Sequence, residues 1–218
     1  MGLLSFFQSG DSTLSQIEHE VLSMIADCRH SLDLAMSALV TDADIAPTGE
    51  EVRSTDRQIN AVEESVRREL VVHMAVHGSD DAGSVLGFLL VVKKLERVGD
   101  QAKNVFDLAD EGVRFSGAPD YDSFVEFRDT VSRLFGEAST LIDRREATAD
   151  HQDFVDRCQV LMDRFDSLVN GLIHSDAPGS FAVPRAMLYR YLKRIVANLA
   201  GVVTTLAEGI DRTVDLDE

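Results

Sequence analysis

Cysteine is scarce in this chain of 218 residues, which has two, Cys28 and Cys158. Each lies inside a helical pattern, and neither belongs to a paired spacing such as C-x-x-C. The pattern therefore does not indicate a thiolate metal site. We expect two free, buried thiols in a reducing cytosol.

Long apolar runs are also absent. No stretch approaches the roughly 18 consecutive apolar residues that span a bilayer, and the first residues lack the cationic and apolar regions of a signal peptide. The sequence therefore predicts a cytoplasmic protein that is neither exported nor membrane-spanning. Four apolar residues lie near the start of the chain: Leu3, Leu4, Phe6 and Phe7. They would allow at most peripheral membrane contact, and packing on the chain's own core is favoured.

Basic residues are outnumbered. The chain has 21 Lys and Arg against 38 Asp and Glu, which gives a formal net charge of −17. Such a surface repels nucleic-acid phosphates and anionic lipids, so nucleic-acid binding is disfavoured. The same charge favours cations and basic protein surfaces as partners, although acidity that serves only solubility is the simpler interpretation.

Helical periodicity is what the sequence does contain. Apolar residues recur at steps of three and four, and no segment alternates as a strand does. The pattern predicts an all-α fold of six long antiparallel helices in two tandem three-helix bundles, residues 1–115 and 116–218, which together form one compact unit. Predicted helix starts and breaks are capping boxes at Thr13, Thr55 and Ser123, breaks at 41–53, 78–81, 116–119, 148–151 and 176–179, and Pro184 in the first turn of helix six.

A shift of 97 positions supports an internal repeat. It relates Leu95–Val98 to Leu192–Ile195, and His77 to His174. The identity is sparse, so the second repeat is a degenerate copy of the first.

Acidic residues at helical spacing form the candidate site. Glu96 and Asp100 lie one turn apart on one face of helix three, and Asn104 lies a further turn along. Helix two carries a matching row at i, i+4 and i+7, formed by Asp56, Asn60 and Glu63. Carboxylate and amide oxygens from two helices suit hard cations, iron or manganese.

Two other interpretations of these acids stay open. Acid pairs at i, i+4 arise easily on solvated faces of an acidic protein, and spacing alone favours that interpretation. The mutual repulsion can also be absorbed by neighbouring Arg97 or Lys103 instead of a metal.

Gly99, beside Asp100, points to a close backbone approach, because a glycine inside a helix costs about 1 kcal/mol relative to alanine.

The segment from Leu90 to Val105 contains the wording E-R-V-G-D-Q-A-K-N, which resembles the E-R-x-G-D-x-A-x-N signature of the PhoU family. The resemblance covers essentially the whole chain, although the motif is clear only in the first repeat. It implies two three-helix bundles and a non-enzymatic, negative regulator of phosphate uptake and phosphate-responsive signalling. The implied partners are a phosphate transporter and a membrane histidine kinase, and a homodimer is open.

The resemblance also implies a metal site on the second and third helices of a repeat. Carried over by position, the ligands would be Asp56, Asn60, Glu63, Glu96 and Asp100, with Asn104 as a supporting polar group. The metal would be Fe, Mn, Zn or Mg. None of these residues is given a catalytic role.

Several positions depart from the family pattern. The shift of 97 places Lys193 where Glu96 stands and Ala197 where Asp100 stands, and an ammonium group cannot bind a metal. We therefore expect at most one metal site or cluster. Asn60 stands where the family often has a carboxylate, and Gln101 where it often has histidine, so metal affinity could be reduced or lost in the first repeat too.

The sequence bears on three rival functions. A di-iron oxidase of the ferritin-like bundle needs Glu-x-x-His on two helices, and no glutamate here is followed by histidine three residues later. His73 and His77 have a spacing that could bind zinc, but a place at a helix C-terminus explains them better. A metal-free helical adaptor of a phosphate transporter is the strongest alternative, and metal content distinguishes it.

Overall fold

The computed structural model describes residues 12–79, 81–144 and 148–208. Within these ranges the chain forms helices and no strand, and the predicted all-α fold is confirmed. The apolar cluster predicted near the start of the chain lies outside the described residues. The helices are α1 Ser12–Val40, α2 Ile45–His77, α3 Ala82–Asp110, α4 Tyr121–Arg144, α5 Thr148–Ile173 and α6 Gly179–Glu208.

Four helices surround the centre of the molecule. α1 and α6 each pack against both α3 and α4, while α2 covers α1 and α3 from one side and α5 covers α6 from the other. The two groups of three helices therefore meet through α1, α3, α4 and α6. The boundary at residue 115 stays a prediction. No helix in the described ranges is both long enough and apolar enough to cross a membrane.

Helix α2 begins ten residues earlier than predicted, at Ile45 rather than Thr55. The side chain of Asp44 accepts a hydrogen bond from the Ala46 amide at 3.2 Å, which caps the helix. Pro47 is tolerated because it lies in the first turn, where a backbone N–H has no helical partner. The predicted break over 41–53 is therefore wrong for most of its length.

Other boundaries also differ from the sequence prediction, and α4 begins at Tyr121, two residues before the capping box predicted at Ser123. α5 begins at Thr148, inside the predicted break over 148–151, and Asp150 in its first turn suits the positive end of the helix. Pro184 lies in the second turn of α6 because the Phe181 and Ala182 amides already bond to the carbonyl of Pro178. α3 ends at Asp110, before the predicted break at 116–119, and Gly112 follows with a φ of +88°.

Phenylalanine supplies most of the large core side chains in a chain without tryptophan. In the second half, the rings of Phe115 and Phe124 stack with centroids 4.0 Å apart, and Phe127 meets Phe165 edge to face at 5.1 Å. These aromatic pairs contribute beyond their buried area. Eight phenylalanines are fully buried: Phe88, Phe106, Phe115, Phe124, Phe127, Phe135, Phe154 and Phe165.

The prediction of free, buried thiols is confirmed for both cysteines. Cys28 lies in the core and donates a hydrogen bond to the carbonyl of Leu95 at 3.3 Å. Burial raises the pKa of the Cys28 thiol well above its ordinary value, and burial likewise raises the pKa of Cys158 to about 12. Neither sulfur is therefore a thiolate in the folded protein near neutral pH.

Both thiols should resist a thiol-reactive reagent at about pH 8 in the folded protein and react once the chain is unfolded in urea. In the unfolded chain each thiol has a pKa near the ordinary value of 9.0, whereas in the folded chain the pKa is raised. The two buried thiols therefore add to the free energy of unfolding below pH 9.0, and this contribution is lost as the pH rises above it. Colorimetric thiol counting in the folded and the urea-unfolded chain measures the reactivity of the two thiols. Rapid labelling of either cysteine in the folded chain would contradict this description.

Candidate metal centre

Helices α2 and α3 approach each other closely beside the acidic residues. A Cβ atom added to Gly99 would lie 3.0 Å from Cδ1 of Ile59, which is tighter than ordinary packing allows. A close approach at this glycine was predicted, and the group that comes close is the side chain of Ile59 rather than a backbone. This contact fixes the register in which the acidic row of α2 faces that of α3.

Lys103 connects the two rows. Its Nζ lies 3.0 Å from both carboxylate oxygens of Asp56 on α2 and 3.1 Å from Oδ1 of Asp100 on α3. The Asp56 side chain is 12% exposed, so this contact is shielded from solvent. The structure therefore brings Asp56 and Asp100 together on either side of an ammonium group.

The electrostatics favour a charged lysine at this position. Burial tends to lower the pKa of Lys103, but hydrogen bonds to Asp56 and Asp100 and the charges of the two carboxylates more than offset it. The net result is a pKa above the ordinary lysine value. A protonated lysine supplies three donors, and three carboxylate oxygens lie within reach of them.

The other predicted ligands lie apart from this contact. Glu63 is buried on α2 and accepts a hydrogen bond from Arg67 at 3.2 Å, and Glu96 lies 2.8 Å from the Nζ of Lys93. Asn60 is exposed on α2. Across the described ranges, no three His, Cys, Asp or Glu side chains are grouped closely enough to hold a metal ion.

As arranged, these residues do not fit the metal that the family resemblance implies. A hard divalent cation needs several oxygen ligands around one point. Here an ammonium group lies between one carboxylate of α2 and one of α3, and the other two predicted carboxylates have cationic partners of their own. Metal binding by the five predicted ligands stays a prediction, and it would require Lys103 to move away.

The second repeat presents a different arrangement at the equivalent place. Lys193, which stands where Glu96 does in the first repeat, lies 2.7 Å from Oδ2 of Asp166 on α5. Ala197, which replaces Asp100, is buried. A cation-binding carboxylate pair therefore has no counterpart at these two positions.

Histidines 73 and 77 stack on each other rather than converge on a common point. Their ring centroids are 4.4 Å apart with an interplanar angle of 17°. Nε2 of His73 lies 3.0 Å from Oδ2 of Asp81, across the turn between α2 and α3. Both histidines lie in the last two turns of α2, as the helix C-terminus interpretation expects.

The sequence indicated Lys103 only as one of two basic neighbours that could neutralise Glu96 and Asp100. Its spacing from Asp100, i to i+3, was the available signal, because residues three apart are neighbours on a helix surface. The contact with Asp56 was not readable, since it depends on how α2 and α3 align.

Comparison with known proteins agrees with the fold and the motif. Residues 21–109, which include both acidic rows, match the model of the PhoU domain. This part of the chain is therefore similar to a PhoU domain. The resemblance to the PhoU family is confirmed. Comparison with curated proteins finds no match.

A solved structure shows that the PhoU fold extends beyond the matched domain. The crystal structure of PhoU from Pseudomonas aeruginosa superimposes with a TM-score of 0.73, covering 90% of this chain and 97% of that one. The sequences are 22% identical, so the likeness shows the shared fold. The helices outside residues 21–109 therefore belong to the same architecture.

Proposed function

We propose that this chain is a cytoplasmic negative regulator of phosphate uptake and of phosphate-responsive signalling that acts by protein–protein contact. The match of residues 21–109 to the PhoU domain carries the proposal, because likeness to this family suggests regulation of phosphate transport. The family is one of regulators and adaptors rather than enzymes. The fold shared with a solved PhoU structure over 90% of the chain supports it further.

The proposed partners are a phosphate transporter, a membrane histidine kinase, or both. A formal net charge of −17 favours a basic surface on the partner's cytoplasmic side, since complementary charge accelerates association and selects the partner. A second copy of the chain is a further candidate partner. We expect the contact to weaken as salt is raised.

Phosphate uptake in the source organism tests the regulatory role. After growth in phosphate-rich medium, cells without the gene should take up radiolabelled phosphate several-fold faster than the parent, and the native chain should restore the restraint. Uptake of labelled sulfate is the control and should not change. An unchanged rate of phosphate uptake in the deletion strain would contradict the proposal.

Within this role, we infer that the chain works as a metal-free adaptor. The observation in its favour is the Lys103 ammonium group between Asp56 and Asp100, in the place where a metal would neutralise the carboxylates. Binding to the isolated transporter or kinase should then survive a strong chelator. Loss of binding in chelator, with recovery on adding manganese or iron, would favour a metal-dependent regulator.

A further inference from the structure

A small pocket lies between α3 and α6, where the two repeats meet. Its volume is about 250 Å³, and it is lined by Arg97 and Gln101 of α3 and by Arg194 and Asn198 of α6. It is separate from the acidic rows, which lie between α2 and α3. Two guanidinium groups and no carboxylate line it among the described residues, in a chain whose formal charge is −17.

The lining is pseudo-symmetric. The shift of 97 that relates the two repeats takes Arg97 to Arg194 and Gln101 to Asn198. Each repeat therefore contributes one arginine and one side-chain amide from equivalent positions. The acidic residues that precede them in the first repeat, Glu96 and Asp100, are replaced by Lys193 and Ala197 in the second. The arginine and the amide therefore recur where the predicted metal ligands do not.

Two buried acceptors in this pocket lack a hydrogen bond. Oε1 of Gln101 and Oδ1 of Asn198 have no donor in the described part of the chain. Asn198 is 4% exposed, and its Nδ2 donates to the carbonyl of Arg194 at 2.8 Å. That bond fixes which amide atom is the oxygen, because the reversed amide would set two acceptors against each other. A buried acceptor without a donor is costly, so a ligand that donates to it gains affinity.

The donors come from the arginines. Arg194 is exposed, and its guanidinium makes no hydrogen bond or ion pair with any residue that the structure describes. Arginine presents several N–H donors in a planar fork that matches the oxygens of phosphate. The pocket therefore offers positively charged donors and buried acceptors to the same small ligand.

We propose that this pocket binds a phosphate group that retains a P–OH proton. The arginines would donate to its charged oxygens, and the P–OH would donate to an amide oxygen. Inorganic phosphate keeps such a proton at neutral pH, sulfate has none, and a phosphomonoester loses its last proton near about pH 6. The inference deepens the proposed function by giving the regulator a ligand, but it is tested by binding alone, so the two can fail separately.

Calorimetric titration of the full chain at about 0.15 M ionic strength tests the proposal, since nonspecific surface binding is screened there. Inorganic phosphate should bind with a stoichiometry of one, and sulfate should bind at least about tenfold more weakly, because it leaves the acceptors unpaired. Glycerol phosphate at about pH 7.5 is the third probe. It has no P–OH at that pH, so it should bind more weakly than inorganic phosphate, and equal or tighter binding would overturn the proposed need for a P–OH proton.

Variants locate the site. Arg194→Gln should weaken phosphate binding at least about tenfold, since it removes charge-assisted hydrogen bonds, and Asn198→Asp should weaken it further by placing a carboxylate in the pocket. Arg190→Gln is the matched control, with the same charge change on the same helix, and should leave binding unchanged. Circular dichroism verifies folding. No binding up to about 10 mM phosphate, equal binding of sulfate, or equal losses in the Arg190 and Arg194 variants would overturn the proposal.

Discussion

Replacing Arg185 with methionine should lower the free energy of unfolding by about 2–4 kcal/mol, because removing one partner of a buried ion pair leaves the other uncompensated. Nε and Nη2 of Arg185 donate to both oxygens of Asp120 at 2.8 and 2.7 Å. The guanidinium also lies over the ring of Phe181, 3.6 Å from its centroid. The Asp120 side chain is 30% exposed, which keeps the expected loss below that of a fully buried pair. Urea unfolding followed by circular dichroism measures it.

Arg190→Met is the control for this change. Arg190 is exposed and lies 3.5 Å from Asp166, which keeps Lys193 as a partner, so the loss should stay below about 0.5 kcal/mol. Equal losses in the two variants would contradict the role given to Arg185.

The pH dependence gives a second test of the Arg185 pair. The hydrogen bond from Arg185 holds the pKa of Asp120 below its ordinary value of 3.8. A carboxyl with a depressed pKa stabilises the fold above its unfolded value, and the contribution is lost as pH falls through the folded pKa. The stability gap between native and Arg185→Met chains should therefore narrow below pH 3.8. A gap that stays constant would show that the loss comes from packing alone.

Replacing Gly49 with alanine should lower the free energy of unfolding by about 1–3 kcal/mol, although alanine is the better helix former. A Cβ at Gly49 would lie 2.6 Å from Cζ of Phe106, whose ring is fully buried and has little room to move. Overpacking at this contact should outweigh the gain of about 1 kcal/mol in helix propensity. Thermal or urea unfolding measures the difference.

Gly136→Ala is the matched control, with the opposite expected sign. Gly136 lies inside α4, and a Cβ there would meet only Nη1 of Arg29 at the ordinary distance of 3.5 Å. The substitution should raise the free energy of unfolding by up to about 1 kcal/mol. A stabilising Gly49→Ala would show that α2 does not pack on Phe106 as described.

The six helices were predictable because their apolar stripes are long and regular, whereas the start of α2 was not. Residues 45–53 contain only a few apolar side chains, and one of the contacts that holds them to the core is a glycine against Phe106. Contact through a small residue leaves no mark on hydrophobic periodicity. Pro47 and Gly49 were interpreted as breakers, although a proline in a first turn and a glycine at a close contact are both compatible with a helix.

The candidate site was predictable one helix at a time. The spacing showed that Glu96 and Asp100 share a face and that Lys103 lies near Asp100. It could not show that Lys103 also reaches Asp56, because that depends on the register of α2 against α3, which packing at Ile59 and Gly99 sets. Register between helices is a tertiary property, so the contact between Lys103 and Asp56 could not be predicted from the spacing alone.

The pocket between α3 and α6 left a signal in the sequence whose meaning was missed. The shift of 97 that indicates the repeat pairs Arg97 with Arg194 inside the segments Leu95–Val98 and Leu192–Ile195, and the same shift also pairs Gln101 with Asn198. Whether the two pairs line one pocket depends on how α3 and α6 cross. Only their packing brings the four side chains together.

Metal content of the purified chain, measured by mass spectrometry after reconstitution with iron, manganese, zinc or magnesium, decides how the acidic motif works. If Lys103 neutralises Asp56 and Asp100, the native chain should hold far less than one metal per chain. Lys103→Gln, which removes the ammonium group, should then gain manganese or iron, because two carboxylates are left facing each other. Stoichiometric metal in the native chain that disappears in the Glu96→Ala, Asp100→Ala double variant would contradict the lysine-bridged motif and restore the five predicted ligands.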